Sequence, residues 1–132
     1  MPNRIVVDAS ALVELLGSPD PTLKQRLRTS SLIAPDIIYL EVMHSLRRRV
    51  RESPAETARV DGIVRFLPQA PMVCVDHRPL VGRVWELRHS ITVYDAAYVA
   101  LAEQLGLTLV TCDARLAGSN GHKAKIELYP NR

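Results

Sequence analysis

Short, largely apolar runs without polar alternation, separated by stretches of helical periodicity, recur from one end of this chain to the other. Ile5–Val7, Leu32–Ala34, Met72–Val75 and Leu107–Thr111 are such runs, and Ile126–Tyr129 reads as a last strand at a sheet edge. A strand that is apolar on both faces must be covered on both, which places helices above and below the sheet. Helices between successive strands also act as crossovers, and crossovers make neighbouring strands parallel. An α/β fold with a largely parallel central sheet is therefore predicted. No composition shift, internal repeat or low-complexity tract marks a linker, and 132 residues with 47% hydrophobic content can build their own core. One domain over residues 1–132 is expected.

Local chemistry marks the helix boundaries. Ala9–Leu16 follows the first strand directly and ends at Gly17, and Asp20 before Pro21 starts a second helix of roughly ten residues. Pro35 and Asp36 are expected to open a third, in which Tyr39, Met43, Leu46 and Val50 form one core stripe with the arginines off it. Ser53, Pro54, Ala55 and Glu56 have the form of a capping box and start a fourth helix running to about Leu67. A fifth, Pro79–Arg88, is built around Val81, Val84, Trp85 and Leu87. A sixth, Tyr94–Leu105, is so apolar that burial on most sides is expected, with Gly106 ending it.

Several function classes are excluded by composition. The longest apolar stretch, Ala96–Ala102, has seven residues, against about twenty needed to span a bilayer. The Ile5–Val7 run stops at Asp8, too early for a secretory signal, so a cytoplasmic protein without membrane association is expected. Cys74 and Cys112 sit singly in β-like runs and are expected to be buried thiols; with scattered histidines they make no zinc pattern. The net charge of +3 is small, but 14 of the 17 basic residues are arginine. Arg47, Arg48, Arg49 and Arg51 form the densest patch, which suits either phosphate binding or a solvated helix face.

Four acids occupy apolar contexts: Asp8 at the end of the first strand, Glu41 inside the third helix, Asp95 at the head of the sixth, and Asp113 just past a strand. Strand carboxyl ends in an open parallel sheet share one rim, so Asp8 and Asp113 should face one crevice. If the helices bring Glu41 and Asp95 there, each carboxylate pair about 4 Å apart repels by roughly 4 kcal/mol at an effective dielectric of 20, and a cation has to offset it. Hard oxygen ligands favour Mg²⁺ or Mn²⁺, one ion or two, and such ions serve phosphodiester hydrolysis. Each acid also has a plainer reading: Asp8 as a helix cap, Asp95 within a Thr92 capping box, Asp113 as a turn residue, Glu41 on a polar helix face. Asp76 is a fifth rim candidate, or a cap or turn. Asp20, Asp36 and Glu56 have capping roles, Asp61 and Glu103 look like exposed helix residues, and His44, one turn from Glu41, is more often structural.

These segments together resemble the PIN-domain nucleases, and among them the VapC-type toxins of bacterial toxin–antitoxin pairs. V-V-D-A-S-A-L at residues 6–12 is similar to the family's opening strand and D-x-S/T element, with Asp8 and Ser10 in place. P-D-I-I-Y-L-E-V-M-H-S-L at 35–46 resembles the helix carrying its glutamate, here Glu41. Y-D-A-A-Y-V-A-L-A at 94–102 supplies Asp95, and L-V-T-C-D at 109–113 matches the strand-end T-x-D with Thr111 and Asp113. The resemblance covers nearly the whole chain and implies a Rossmann-like α/β/α sandwich with Mg²⁺ or Mn²⁺ at Asp8, Glu41, Asp95 and Asp113. Ser10 and Thr111 would be supporting hydroxyls. It further implies endonucleolytic cleavage of RNA, a VapB-like antitoxin as inhibitor, and a homodimer. From Ala114 to His122 there is no acid, whereas some relatives carry a further carboxylate just beyond the T-x-D aspartate.

Without the four acids, 17 basic residues face 10 acidic ones, a positive surface suited to RNA around an acidic hole. The arginine run would then contact RNA or antitoxin. Two competing readings are a phosphatase with Asp8 as covalent nucleophile, weakened because the position two residues on is Ser10 and not a second aspartate, and a module that binds RNA or protein without cutting.

Overall fold

The computed structural model describes residues 3–17 and 19–130. Five strands, β1 (Asn3–Val7), β2 (Ser30–Pro35), β3 (Val73–Val75), β4 (Leu109–Thr111) and β5 (Ile126–Leu128), form one sheet in the order β3-β2-β1-β4-β5. Every pairing is parallel, with Val6 opposite both Ile33 and Leu109, and β5 at the edge as expected. Ile5, Val6 and Val7 are all but inaccessible to solvent, as an apolar central strand must be.

Among the described residues seven helices flank the sheet: α1 (Ala9–Leu16), α2 (Pro21–Arg28), α3 (Ile38–Glu52), α4 (Thr57–Phe66), α5 (Val81–Glu86), α6 (Val93–Leu105) and α7 (Ala114–Ala117). α6 packs across β1, β2 and β4, and Ala96 to Ala102 are buried without interruption; its alanines let the helix lie close on the sheet. α1 packs against α3 and β4, and α3 against α4. Gly106 closes α6 at φ 65°, the left-handed geometry that lacks a penalty only for glycine.

Several boundaries depart from the sequence expectations. Pro35 ends β2, and α3 starts at Ile38 with no side-chain cap; Asp36 does not cap it and instead lies 2.7 Å from His77 Nδ1. The buried stripe of α3 is Ile38, Val42 and Leu46, leaving Met43 exposed and Tyr39 and Val50 half-buried. A later start does not itself rotate a helix; α3 turns Ile38, Val42 and Leu46 into the core, where it packs against α1. The Ser53 side chain makes no cap hydrogen bond, and Pro54–Glu56 is a single 3₁₀ turn before α4, with Glu56 paired to Arg59. The stretch expected as a fifth helix is a 3₁₀ turn at Arg78–Leu80 followed by α5, whose Val81 and Trp85 face solvent. α7, four residues long, is too short to show periodicity in the sequence. Cys112 is buried, but Cys74 only half-buried, and both are free thiols. Glu103 is not a free surface acid: it takes a two-pronged ion pair from Arg83 and the Lys123 amide.

Candidate active site at the carboxyl edge of the sheet

With the order 3-2-1-4-5, successive connections run outward in one direction from β1 and in the other from β4. The crevice between the carboxyl ends of those two strands is the topological switch point, where open α/β sheets bind ligands. Asp8 follows β1 directly, and Thr111 ends β4. Glu41 and Asp95 lie in the first turns of α3 and α6, while Asp8 and Asp113 are the N-caps of α1 and α7. Helices that return antiparallel to the strands present their amino ends at this rim, and the backbone partial positive charge there favours acids. All four acids line one cleft of about 290 Å³, together with Ser10, His44, Ser45, Arg48 and Tyr98.

Asp8 and Thr111 are the buried polar residues of the described chain, and they touch each other. Thr111 Oγ1 donates to Asp8 Oδ2 at 2.5 Å, Ser10 Oγ donates to Oδ1 at 2.7 Å, and the Ala11 amide donates to Oδ1 at 3.0 Å. The same hydroxyls accept from the loop after β4: Cys112 N donates to Ser10 at 2.9 Å and Asp113 N to Thr111 at 3.0 Å. Ser10 and Thr111 therefore tie β1 to β4 while fixing both oxygens of Asp8. Capping and site membership coincide, since the Asp8 side chain that accepts from Ala11 N also lines the cleft.

Burial pushes the Asp8 carboxyl up from its ordinary value, against the opposing pull of Thr111, Ala11 and Ser10. Glu41 and Asp95 are raised for the same first reason. Tyr98 and Thr92 respectively oppose the shift most strongly, and neighbouring acids add to it. Tyr98, buried in α6, donates its hydroxyl to Glu41 Oε1 at 2.5 Å. Burial and the facing carboxylate push its own pKa far up, so it stays a neutral donor. Arg115 reaches back from α7, with Nη2 at 3.1 Å from Asp95 and 3.3 Å from Asp113.

The carboxylates share the cleft more loosely than a fully assembled cage. The group of three ligand atoms within 4.8 Å of one another among the described residues is Asp36, Asp76 and His77, all exposed. There Asp76 is held by Arg78, a local turn contact that lowers its pKa. The cleft's donors remain all hard oxygens, and a guanidinium already answers two of them, so the residues fit a hard divalent cation.

In the arginine run only Arg48 lines this cleft, because spacings of four and three from Glu41 through Ser45 put it on Glu41's face of α3. Arg49 lines a separate polar pocket with Glu14, Asp20 and Arg59; Arg47 and Arg51 are exposed elsewhere on the helix. Sequence reasoning missed Tyr98 and Arg115. Each had a signal: Tyr98 lies three residues after Asp95, on the same helical face, and Arg115 two residues after Asp113.

A five-stranded parallel sheet with acids from four helix amino ends at its switch point defines an open α/β class with an acidic ligand crevice. The PIN domain model matches residues 5–118, and the chain belongs to the PIN-domain family. It is 43% identical over 127 residues to Ribonuclease VapC12 of Mycobacterium tuberculosis, covering 94% of this chain and 98% of that one. VapBC2 from Rickettsia felis, solved bound to a DNA fragment from its promoter, superposes with a TM-score of 0.66 at 13% identity, covering 96% and 98% of the chains. A toxin–antitoxin complex from Klebsiella pneumoniae gives 0.60 at 19% identity, with 86% and 90% covered.

Proposed function

We propose that this chain, one PIN domain over residues 1–132, is a Mg²⁺- or Mn²⁺-dependent endoribonuclease and the toxin of a VapBC-type pair. The observation that carries the reading is the convergence of Asp8, Glu41, Asp95 and Asp113 on one cleft at the switch point, with Asp8 nearly sealed from solvent. The ribonuclease name of VapC12, 43% identical over almost the whole chain, supports the activity. The Klebsiella complex, a neighbour by fold, supports an antitoxin partner. No described helix is long and apolar enough to cross a membrane, and the site of action we assign is the cytoplasm.

Asp8, Glu41, Asp95 and Asp113 would hold one or two ions. When bound, a divalent ion supplies Lewis-acid polarisation of the phosphodiester and lowers the pKa of water. The chain's own residues do the rest. Ser10 and Thr111 hold Asp8 in one rotamer, and Tyr98 aims Glu41 into the cleft. Glu41 or Asp95 would orient the attacking water and take its proton as the water oxygen bonds to phosphorus. The P–O3′ bond breaks, the 3′ oxygen leaves and takes up a proton, and the products carry 5′-phosphate and 3′-hydroxyl ends. Arg48 at the cleft and Arg47, Arg49 and Arg51 beyond it offer guanidinium groups to RNA phosphates or to a VapB-like antitoxin. A homodimer completes the assembly.

The test is cleavage of a panel of structured and unstructured RNAs by the purified chain in EDTA, Mg²⁺ and Mn²⁺. Cleavage is expected only with divalent ion, and Asp95→Asn is expected to lower kcat/KM at least 100-fold while staying folded. A folded Asp95→Asn protein that cuts at the parent rate would refute the assignment.

A further inference from the structure

Four carboxylates face one cleft, yet among the described residues a single cation pairs with any of them. Asp8 is held by hydroxyls and an amide, and Glu41 by a phenol, all neutral donors. Asp95 and Asp113 instead share one nitrogen of Arg115, at 3.1 and 3.3 Å. The geometry is locally enforced: Asp113 caps α7 by accepting from the Arg115 amide through Oδ1, which leaves Oδ2 for the guanidinium of the same residue. Arg115 is otherwise solvent-facing, with 69% of its side chain exposed, so nothing in the core holds it in this pose except the two acids.

Resting on the metal-cleft reading above, we propose that Arg115 is the cleft's resident counter-ion, a positioning residue that a divalent cation must displace from Asp95 and Asp113. Its pairing sets how tightly the cleft takes metal. A guanidinium nitrogen seated between these two oxygens occupies the place of an ion bridging them and repels its charge, so whatever the guanidinium contributes to the metal-free state is subtracted from metal binding. Because the pair is exposed, that contribution is modest, corresponding to roughly threefold to tenfold in affinity.

The experiment measures Mn²⁺ binding by titration calorimetry, and thermal melting in EDTA and in saturating Mn²⁺, for the parent, Arg115→Ala, Arg115→Lys and Asp8→Asn. Arg115→Ala is expected to bind Mn²⁺ about threefold to tenfold more tightly than the parent. It should melt below the parent in EDTA, and the gap should close in Mn²⁺. Arg115→Lys keeps the competing charge and should stay within about threefold of the parent. Equal Mn²⁺ affinity in Arg115→Ala and parent, or a melting deficit that persists undiminished in Mn²⁺, would overturn the proposal and leave the metal cleft standing. Loss of Mn²⁺ binding in Asp8→Asn upholds the cleft independently of Arg115. Parent and Arg115→Ala both failing to bind Mn²⁺, or Asp8→Asn binding as the parent does, would overturn both.

Discussion

Tyr98 on α6 and Glu41 on α3 are joined by a 2.5 Å hydrogen bond that spans 57 residues of sequence. A buried phenol needs a partner for its hydroxyl, and here the partner is an acid of the cleft, so a packing residue also sets the direction of a functional one. Tyr98→Phe keeps the ring and removes that donor. We expect the fold to survive with a loss of about 1 kcal/mol in urea unfolding, and RNA cleavage to fall at least fivefold in kcat/KM. Unchanged cleavage would show that Glu41 is aimed by something else.

Thr111→Val probes the tie between β4 and Asp8. The substitution is nearly isosteric in a fully buried position, so it tests hydrogen bonding with little change of volume. It removes one donor from the Asp8 carboxylate and the acceptor of the Asp113 amide. A destabilisation of about 1–3 kcal/mol is expected from the stranded groups, measured by denaturant titration of the metal-free protein.

Acid–base linkage should differ in sign between the cleft and the ion pairs outside it. Glu41 is raised in the fold, first by burial, so it favours the folded state below its unfolded value near 4.5, and that contribution is lost as pH rises through the folded value. Glu41→Gln should therefore melt above the parent at pH 7 in EDTA, by up to about 1 kcal/mol because solvent screens this half-buried group, with the gap closing towards pH 4. Glu103 is lowered, first by its hydrogen bonds from Arg83, so its contribution is present above the unfolded value and lost as pH falls through the folded one. Glu103→Gln should melt below the parent at pH 7 by up to about 1 kcal/mol, since the pair is partly exposed, and the two should converge in acid. Melting curves from pH 3.5 to 8 read both signs at once.

Gly106→Ala isolates backbone conformation. A Cβ there meets nothing within 4 Å, so the positive φ is the sole cost. About 1 kcal/mol of lost stability is expected, with RNA cleavage unaltered because the C-terminus of α6 is at the opposite end from Asp95. A change in cleavage would reveal coupling along α6.

Much of this molecule was legible in one dimension. β1 and α6 announce themselves because apolar runs of those lengths need burial on several sides, and Asp8, Glu41, Asp95 and Asp113 stood out as acids in apolar surroundings. On α3, Tyr39–Met43–Leu46–Val50 and Ile38–Val42–Leu46 both satisfy helical spacing, and only tertiary packing, chiefly against α1, chooses between them. For Asp36 the sequence leaves two outcomes, since a carboxylate before a helix can cap it or bond across a loop, and the loop after β3 delivers His77 to it.

Local sequence determined the alternation of strands and helices and the capped amino ends of α1, α2 and α6, because these follow from side-chain burial and backbone capping over a few residues. The strand order alone decided that Thr111 would reach Asp8 across 103 residues, and the placement of α7 that Arg115 would be the guanidinium beside Asp95. Such pairings depend on distances between remote segments, which are set when the sheet assembles and have no signature in any local window of sequence.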